Sequence, residues 1–190
     1  LLAEIEPLKK GGLHAEYLYI SNRAHIIAPY HKLIDELNEI RLDENKIGTT
    51  KKGIGPAYAD KVNRNGIRVC DLYEPALLEE KVNTNVAYIN LLLTKIYHRA
   101  PIDAKEIYTQ LLADAEVLKP YVCDVSTALD ALLKQGKNIV FEGAQGAMLD
   151  IDFGTYPYVT SSHPISGGAT LGAGVSPKAI DYILGITKAY

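Results

Sequence analysis

An α/β fold is what this 190-residue sequence predicts, and three features predict it. Two short runs, "EYLYIS" (16–21) and "NIVFEG" (138–143), set β-favouring or apolar residues between turn signals. Between them, apolar residues recur at the helical period from Pro75 to Gly136. Glycine loops then accompany the regular elements, "GTTKKGIG" (48–55) before a helix and "GAQG" (143–146) at the end of the second strand. In open α/β sheets ligands sit at that end of a strand.

Each element has its own justification. The N-terminal "LLAEIEPLKK" reads as an amphipathic helix stopped by Gly11-Gly12, because glycine accepts the left-handed backbone that ends a helix. Residues 16–21 follow as a strand. From Pro29, Leu33, Ile34, Leu37 and Ile40 keep helical spacing. Pro56 suits the first turn of the next helix, where a missing N–H costs nothing, and Gly66 is placed to end it at Asn65. Leu78, Val82, Val86, Ile89, Leu93 and Ile96 hold one face for about five turns. Pro101 breaks that helix. Ala104, Ile107, Leu111 and Ala115 begin another, and Pro120 opens a third through Val122, Val125, Leu129 and Leu132, closed by Gln135-Gly136. No linker isolates residues 75–136, so they read as a helical subdomain within one domain. Residues 138–143 look like a buried parallel strand, and "SGGATLGAG" (166–174) is a second glycine-rich region before a last helical pattern.

Composition narrows the function classes. With 47% hydrophobic and 23% charged residues the chain is an ordinary globular one, long enough for one substantial core. No 18-residue apolar run offers a membrane span, and the N-terminus lacks the pattern of a signal peptide. Helix-like patterns run up to both ends, which reads as an internal piece of a longer chain. Cys70 and Cys123 are too few for a disulfide framework, so reduced thiols in a cytoplasmic protein are expected. His14, His25, His31, His98 and His163 show neither i,i+4 pairing nor grouping with cysteine, so no metal site is expected from them. A net charge of −3 with one local basic patch argues against nucleic-acid binding.

That patch is "GTTKKGIGPAYADKVNRNGIR" (48–68), where Lys51, Lys52, Lys61, Arg64 and Arg68 face Asp60 alone. Glycines let backbone approach a ligand, Thr49 and Thr50 offer hydroxyls, and a helix starting near Pro56 points free N–H groups at an anion. Tyr58, Lys61 and Arg64 recur every third residue and share a helix face. A phosphate site and a solvated basic helix after a tight turn both fit these residues. Neither a Walker A nor a Rossmann glycine motif is present.

The longer strings separate the two. Gly53-Ile54-Gly55-Pro56-x-Tyr58-x-x-Lys61-x-x-Arg64, after Gly48-Thr49-Thr50, resembles a signature of the adenylosuccinate synthetase family, GTP-dependent ligases of purine synthesis. "FEGAQGAMLDIDFGTYPYVTSS" (141–162) resembles a second stretch of the same family, and "YISNRAHIIAPYH" (19–31) and "RVCDLYE" (68–74) fit it in order and spacing. The resemblance spans essentially all 190 residues. Two departures stand out. Lys51-Lys52 replaces the Gly-Arg of some members, and His163 stands where many carry asparagine.

The resemblance implies a P-loop NTPase-like, mainly parallel sheet, incomplete in this fragment, with the helical subdomain at about 75–136. Residues 1–190 would be the central part of one domain. It implies an enzyme joining IMP and L-aspartate, with GTP as co-substrate and Mg²⁺ as cofactor, through a 6-phosphoryl-IMP intermediate in AMP synthesis. Thr50, Arg64, Gln145 and Thr160 would bind IMP, with Arg64 reaching the partner subunit of a homodimer. Gln145 and Lys61 would support catalysis. The family's catalytic aspartate and histidine and its GTP loop lie upstream of the matched strings, and its metal ligands lie mostly outside this fragment, so the fragment alone is expected to be inactive. The rival reading is a non-catalytic purine-phosphate binding or dimerisation module. An upstream glycine-rich loop carrying aspartate, followed by a histidine, distinguishes the enzyme.

Overall fold

The two proline-opened helices with unbroken apolar faces form as their spacing dictates, and they build the core. In the computed structural model, which describes residues 1–12, 15–42 and 48–189, the chain divides into two compact units, Leu1–Asp124 and Val125–Tyr190. His14 lies outside the described residues.

The first unit opens with α1 (Leu2–Lys10), ending at the glycine pair as expected. A 3₁₀ turn (Ala15–Tyr17) and β1 (Ile20–Ser21) follow. The strand expected over 16–21 is thus two residues long. A strand persists only where a neighbour supplies ladder bonds, and β2 (Val122–Cys123) is that neighbour over two residue pairs, in parallel register Ile20↔Val122 and Ser21↔Cys123. Val122 was expected inside a helix opened by Pro120. Instead Pro120 sits in a 3₁₀ turn (Lys119–Tyr121), and pairing with β1 overrides the helical spacing.

Helix α2 (Pro29–Leu42) leads to α3 (Ile54–Asn63), then through a 3₁₀ turn (Val69–Tyr73) to α4 (Pro75–Lys95) and α5 (Ala104–Leu118). Asp103 caps α5, its side chain accepting the Lys105 N–H at 2.8 Å. The predicted stripe Leu78, Val82, Val86, Ile89, Leu93 of α4 is buried against Ile107, Leu111 and Ala115 of α5 and Tyr30, Ile34 and Leu37 of α2. Each such fully buried side chain contributes about 1.5–3 kcal/mol. Ile96 lies past the helix end and is exposed. The segment before α2 is tied to the one after α3 by backbone bonds, Ile26 N–H to Ile67 O at 2.8 Å and Val69 N–H to Ala24 O at 2.9 Å.

The second unit contains α6 (Val125–Lys134) and α7 (Ser166–Ala173). Gly136, at φ 69°, follows α6 as predicted. Residues 138–143 do not form the expected strand. They have no ladder partner among the described residues, and Val140 is 90% exposed. Apolar character marks a segment that can be buried in a sheet, but pairing requires the neighbouring strands. The glycine-rich region 166–174 forms α7 itself, capped by Gly174. A β-carbon at Gly168 would collide with the His163 carbonyl, so its lack of a side chain lets α7 lie against that backbone. The last stretch carries only a 3₁₀ turn (Pro177–Ala179). The described fold is therefore mixed but helix-rich, with one small parallel sheet. No described helix is long and apolar enough to cross a membrane.

Candidate functional site

The basic stretch is organised by Gly53. It caps α3 in the left-handed conformation (φ 79°), and a β-carbon there would lie 2.8 Å from the His31 carbonyl carbon and the Lys32 nitrogen. Only glycine lets the start of α3 touch the α2 backbone this closely. The helix begins at Ile54, two residues before the expected proline. The sequence predicted free N–H groups here, aimed at an external anion. The structure supplies an internal one, because Asp35 Oδ2 accepts the Gly53 N–H at 2.9 Å in a buried contact. A carboxylate at a helix start is favourable in itself.

Thr50 is exposed on the loop before α3, next to Lys51, whose backbone is also left-handed (φ 54°) and donates to Thr49 Oγ1 at 3.3 Å. Lys51 Nζ lies 3.9 Å from Glu36 Oε1, an exposed pair worth little. Lys61 Nζ sits 5.3 Å from the Tyr58 ring centroid, so those two share a face as predicted, in cation–π contact. Arg64 does not continue that face. The helix ends at Asn63 and Arg64 takes the left-handed capping position (φ 67°), with Asn65 and Gly66 N–H both returning to Asp60 O at 2.9 and 3.1 Å. Arg64 is exposed. Thr50, Lys61 and Arg64 thus belong to the first unit, Thr50 ahead of α3 and Arg64 at its far end.

His25 packs at the same end of α3. Its Nδ1 is buried without a hydrogen-bond partner, and a β-carbon on Gly66 would overlap its ring. Burial lowers its pKa, and the charges of Lys61, Arg68 and Lys81 lower it further against the opposing Asp71. Asp71 itself is held below the usual carboxylate range. Burial works against this, but the Arg68 N–H (2.7 Å) and Lys81 Nζ (2.6 Å) prevail.

Gln145 and Thr160 lie in the second unit. Gln145 is exposed with left-handed backbone (φ 66°). Thr160 is half-buried: its N–H bonds Leu149 O at 2.8 Å and its hydroxyl lies 3.3 Å from Ser162 Oγ. Between them lies Asp150, which no sequence pattern foretells and which is fully buried. Its Oδ1 accepts the N–H groups of Asp152 (2.9 Å) and Phe153 (3.1 Å), and its Oδ2 lies 3.4 Å from His163 Nδ1. Desolvation pushes the Asp150 pKa up, yet these two N–H bonds and the imidazole outweigh it and hold it below the ordinary value.

Asp152 Oδ2 is 3.8 Å from the same ring nitrogen, and one ligand atom from each of Asp150, Asp152 and His163 lies within 4.8 Å of the others. The histidine spacing did not foretell this grouping, since its other members are carboxylates. An imidazole among three donors does not fit the all-oxygen octahedral set Mg²⁺ prefers, and here the ring itself faces both carboxylates.

Comparison with known proteins accounts for the strings that carry these residues. A family model described as adenylosuccinate synthetase matches residues 1–190. The adenylosuccinate synthetase of Heliobacterium modesticaldum is 54% identical over 190 residues, covering 100% of this chain and 44% of that protein. The adenylosuccinate synthetase of Thermoanaerobacter sp. (strain X514) is 52% identical over 190 residues, covering 100% of this chain and 45% of that protein. A solved structure of fully ligated adenylosuccinate synthetase from Plasmodium falciparum superimposes with a TM-score of 0.82 at 35% identity, covering 94% of this chain and 42% of that one. The chain spans less than half the length of these relatives. With every residue matched by the family model and about half identical to its relatives, the chain belongs to the adenylosuccinate synthetase family.

Proposed function

We propose that this chain forms the IMP-binding part of an enzyme that joins IMP and L-aspartate, with GTP hydrolysis, into adenylosuccinate, GDP and phosphate. The purine 6-oxygen is a poor leaving group until phosphorylated. GTP's γ-phosphoryl group is transferred to it, and the aspartate amine then attacks C6 as phosphate departs with that oxygen. Such chemistry asks the protein mainly for positioning and charge stabilisation. The Thr50 hydroxyl would donate to the IMP phosphate, joined by Thr160, with Lys61 in the electropositive surround. Gln145, both donor and acceptor, would meet the base at its 6-oxygen and N1. Arg64 would reach the IMP of the partner subunit in a homodimer. Mg²⁺ would neutralise charge on the transferred group, with its ligands outside these residues. The fold that goes with this reading is a P-loop-type, mainly parallel sheet, with residues 1–190 central to one domain and 75–136 its helical subdomain.

The observation that carries the reading is the backbone of Arg64 and Gln145. Both hold positive φ, 67° and 66°, a conformation costing about 1–2 kcal/mol for a residue with a side chain. Glycine would remove that cost at either exposed position. At Arg64 that backbone also closes α3, and Lys51 (φ 54°) and His98 (φ 51°) share it, so the support is strongest at Gln145, in backbone of a kind common where a side chain must be aimed at a ligand.

The two ends of α3 also support the cross-subunit role. Ten helical residues separate the loop from Arg64, roughly 15 Å along the axis. In a family-length homodimer carrying this chain, Arg64→Leu should raise KM for IMP by about 10-fold or more, since a charged contact is lost, and leave KM for GTP nearly unchanged. Mixing it with Thr50→Ala after random subunit exchange should restore roughly a quarter of wild-type activity. Half the dimers are mixed, and one of their two sites has both residues intact. Mixed dimers that form without recovery would overturn the assignment of Arg64 to the partner's site.

A further inference from the structure

His31, Asp35 and Glu39 succeed one another at four-residue intervals on α2, so they lie on one face, one turn apart. All three are buried, at 3%, 6% and 5% exposure. Buried polar groups are costly unless paired, and each of these reaches one point of the stretch from Gly48 to Asp60. Glu39 Oε2 accepts the Gly48 N–H at 3.1 Å. Asp35 Oδ2 accepts the Gly53 N–H at 2.9 Å. His31 Nε2 lies 2.9 Å from Asp60 Oδ2. The Ala28 N–H donates to His31 Nδ1 at 2.9 Å, so Nδ1 is an acceptor and Nε2 is the nitrogen that donates to Asp60.

The pairing runs in order. As α2 is followed backwards, the partners advance from Gly48 through Gly53 to Asp60. The loop and the first two turns of α3 are therefore pinned antiparallel along one helix face. Two of the three bonds take the backbone N–H groups of the glycines that bracket Thr49, Thr50, Lys51 and Lys52. They fix both ends of that segment and leave all four side chains exposed.

We propose that His31, Asp35 and Glu39 are positioning residues, a frame that holds loop 48–53 in its phosphate-receiving shape and sets the affinity for IMP without touching it. The inference rests on the reading of Thr50 as an IMP phosphate contact. A loop anchored at both ends before the ligand arrives loses less conformational freedom on binding, so the frame acts on affinity. The frame is not a charge device. Asp35 brings negative charge towards a phosphate site, and what it contributes is an acceptor at a fixed place.

The test uses a family-length enzyme carrying this chain, with Asp35→Ala, Asp35→Asn, Glu39→Ala and Thr50→Ala compared for KM of IMP, KM of GTP and kcat. Hydrogen exchange of residues 48–53 is followed with and without IMP. Asp35→Ala should raise KM for IMP by about 10-fold, with GTP KM and kcat within about twofold, and speed exchange of the free loop. Asp35→Asn keeps a side-chain carbonyl acceptor and should bring KM for IMP back to within about threefold of wild type. A raised KM for IMP in Thr50→Ala together with no change in Asp35→Ala and Glu39→Ala overturns the frame and leaves the phosphate reading standing. No change in Thr50→Ala overturns the phosphate reading and the frame with it. An equal loss in Asp35→Asn and Asp35→Ala, or a loss spread over both substrates and kcat, also overturns the frame. Should Asp35→Ala fail to fold, Glu39→Ala at the outer end of the frame decides by the same split.

Discussion

Gly53→Ala would probe the contact on which the basic loop depends, and two costs can be separated for it. The first is conformational. At φ 79° an alanine costs about 1–2 kcal/mol more than glycine. The second is steric. The new methyl would lie 2.8 Å from the His31 carbonyl carbon and the Lys32 nitrogen and 2.9 Å from the His31 β-carbon. Ordinary contacts between carbons fall at about 3.5–4.0 Å. The overlap is with helix backbone, which yields only if α2 and α3 move apart, and overpacking of this kind costs about 1–3 kcal/mol. The sum is about 2–5 kcal/mol, a large share of the about 5–15 kcal/mol that holds a domain folded. Gly48→Ala is the internal control. It has the same kind of backbone (φ 83°) but nothing within 4 Å of the built β-carbon, so it should lose only the conformational cost, about 1–2 kcal/mol. Urea unfolding of both variants, followed by far-UV circular dichroism, measures the difference. Equal losses would refute the steric account and the close α2–α3 approach behind it.

Tyr30 and His163 give two further outcomes. Tyr30 is buried, and its pKa is pushed up to about 12 by desolvation, partly offset by the Asn85 amide donating at 3.1 Å and reinforced by the Asp60 charge. An unfolded tyrosine titrates near 10, so this stability is intact below about pH 10 and is lost as pH rises to about 12, by about 2–3 kcal/mol. Tyr30→Phe should therefore flatten the alkaline fall of the unfolding free energy, and parallel wild-type and variant profiles would contradict it. His163→Asn removes the ring beside Asp150 but leaves the two backbone N–H bonds to Oδ1. The Asp150 carboxyl should then titrate at higher pH, read from its ¹³C chemical shift, and an unmoved midpoint would mean the ring does not stabilise the carboxylate.

What was legible in the sequence was whatever one stretch of chain decides alone. The α4 stripe and the Ala104–Ala115 pattern were read correctly because a single amphipathic face predicts both the helix and its burial. The strands were not, because pairing is decided elsewhere. Residues 138–143 have strand composition and no ladder, while Val122 has helical spacing and joins a sheet. The candidate residues Thr50, Lys61, Arg64, Gln145 and Thr160 came from long strings, whereas Asp35 and Asp150 were missed. Each is an acid whose significance lies in being buried beside a backbone N–H, and composition does not show burial. His31, Asp35 and Glu39 were hidden further by sharing the period of the apolar residues around them.

The missed acid changes how the basic stretch is to be understood. A helix start rich in glycine suggested that backbone N–H groups meet the phosphate, yet the Gly53 N–H is committed to Asp35. Asp60, the lone acid of the stretch, is likewise engaged, by His31. Two carboxylates are thus built into the framework beneath the loop, and on the proposed reading anion binding would fall to the groups left exposed: the Thr50 hydroxyl and the side chains of Lys51, Lys52, Lys61 and Arg64. On that reading the five basic residues, in a chain of net charge −3, would offset the acids that shape the loop and still leave a positive surface for a phosphate. Shape is held by the buried acids of α2 and charge is supplied by the exposed cations, so the two properties can be altered separately by mutation.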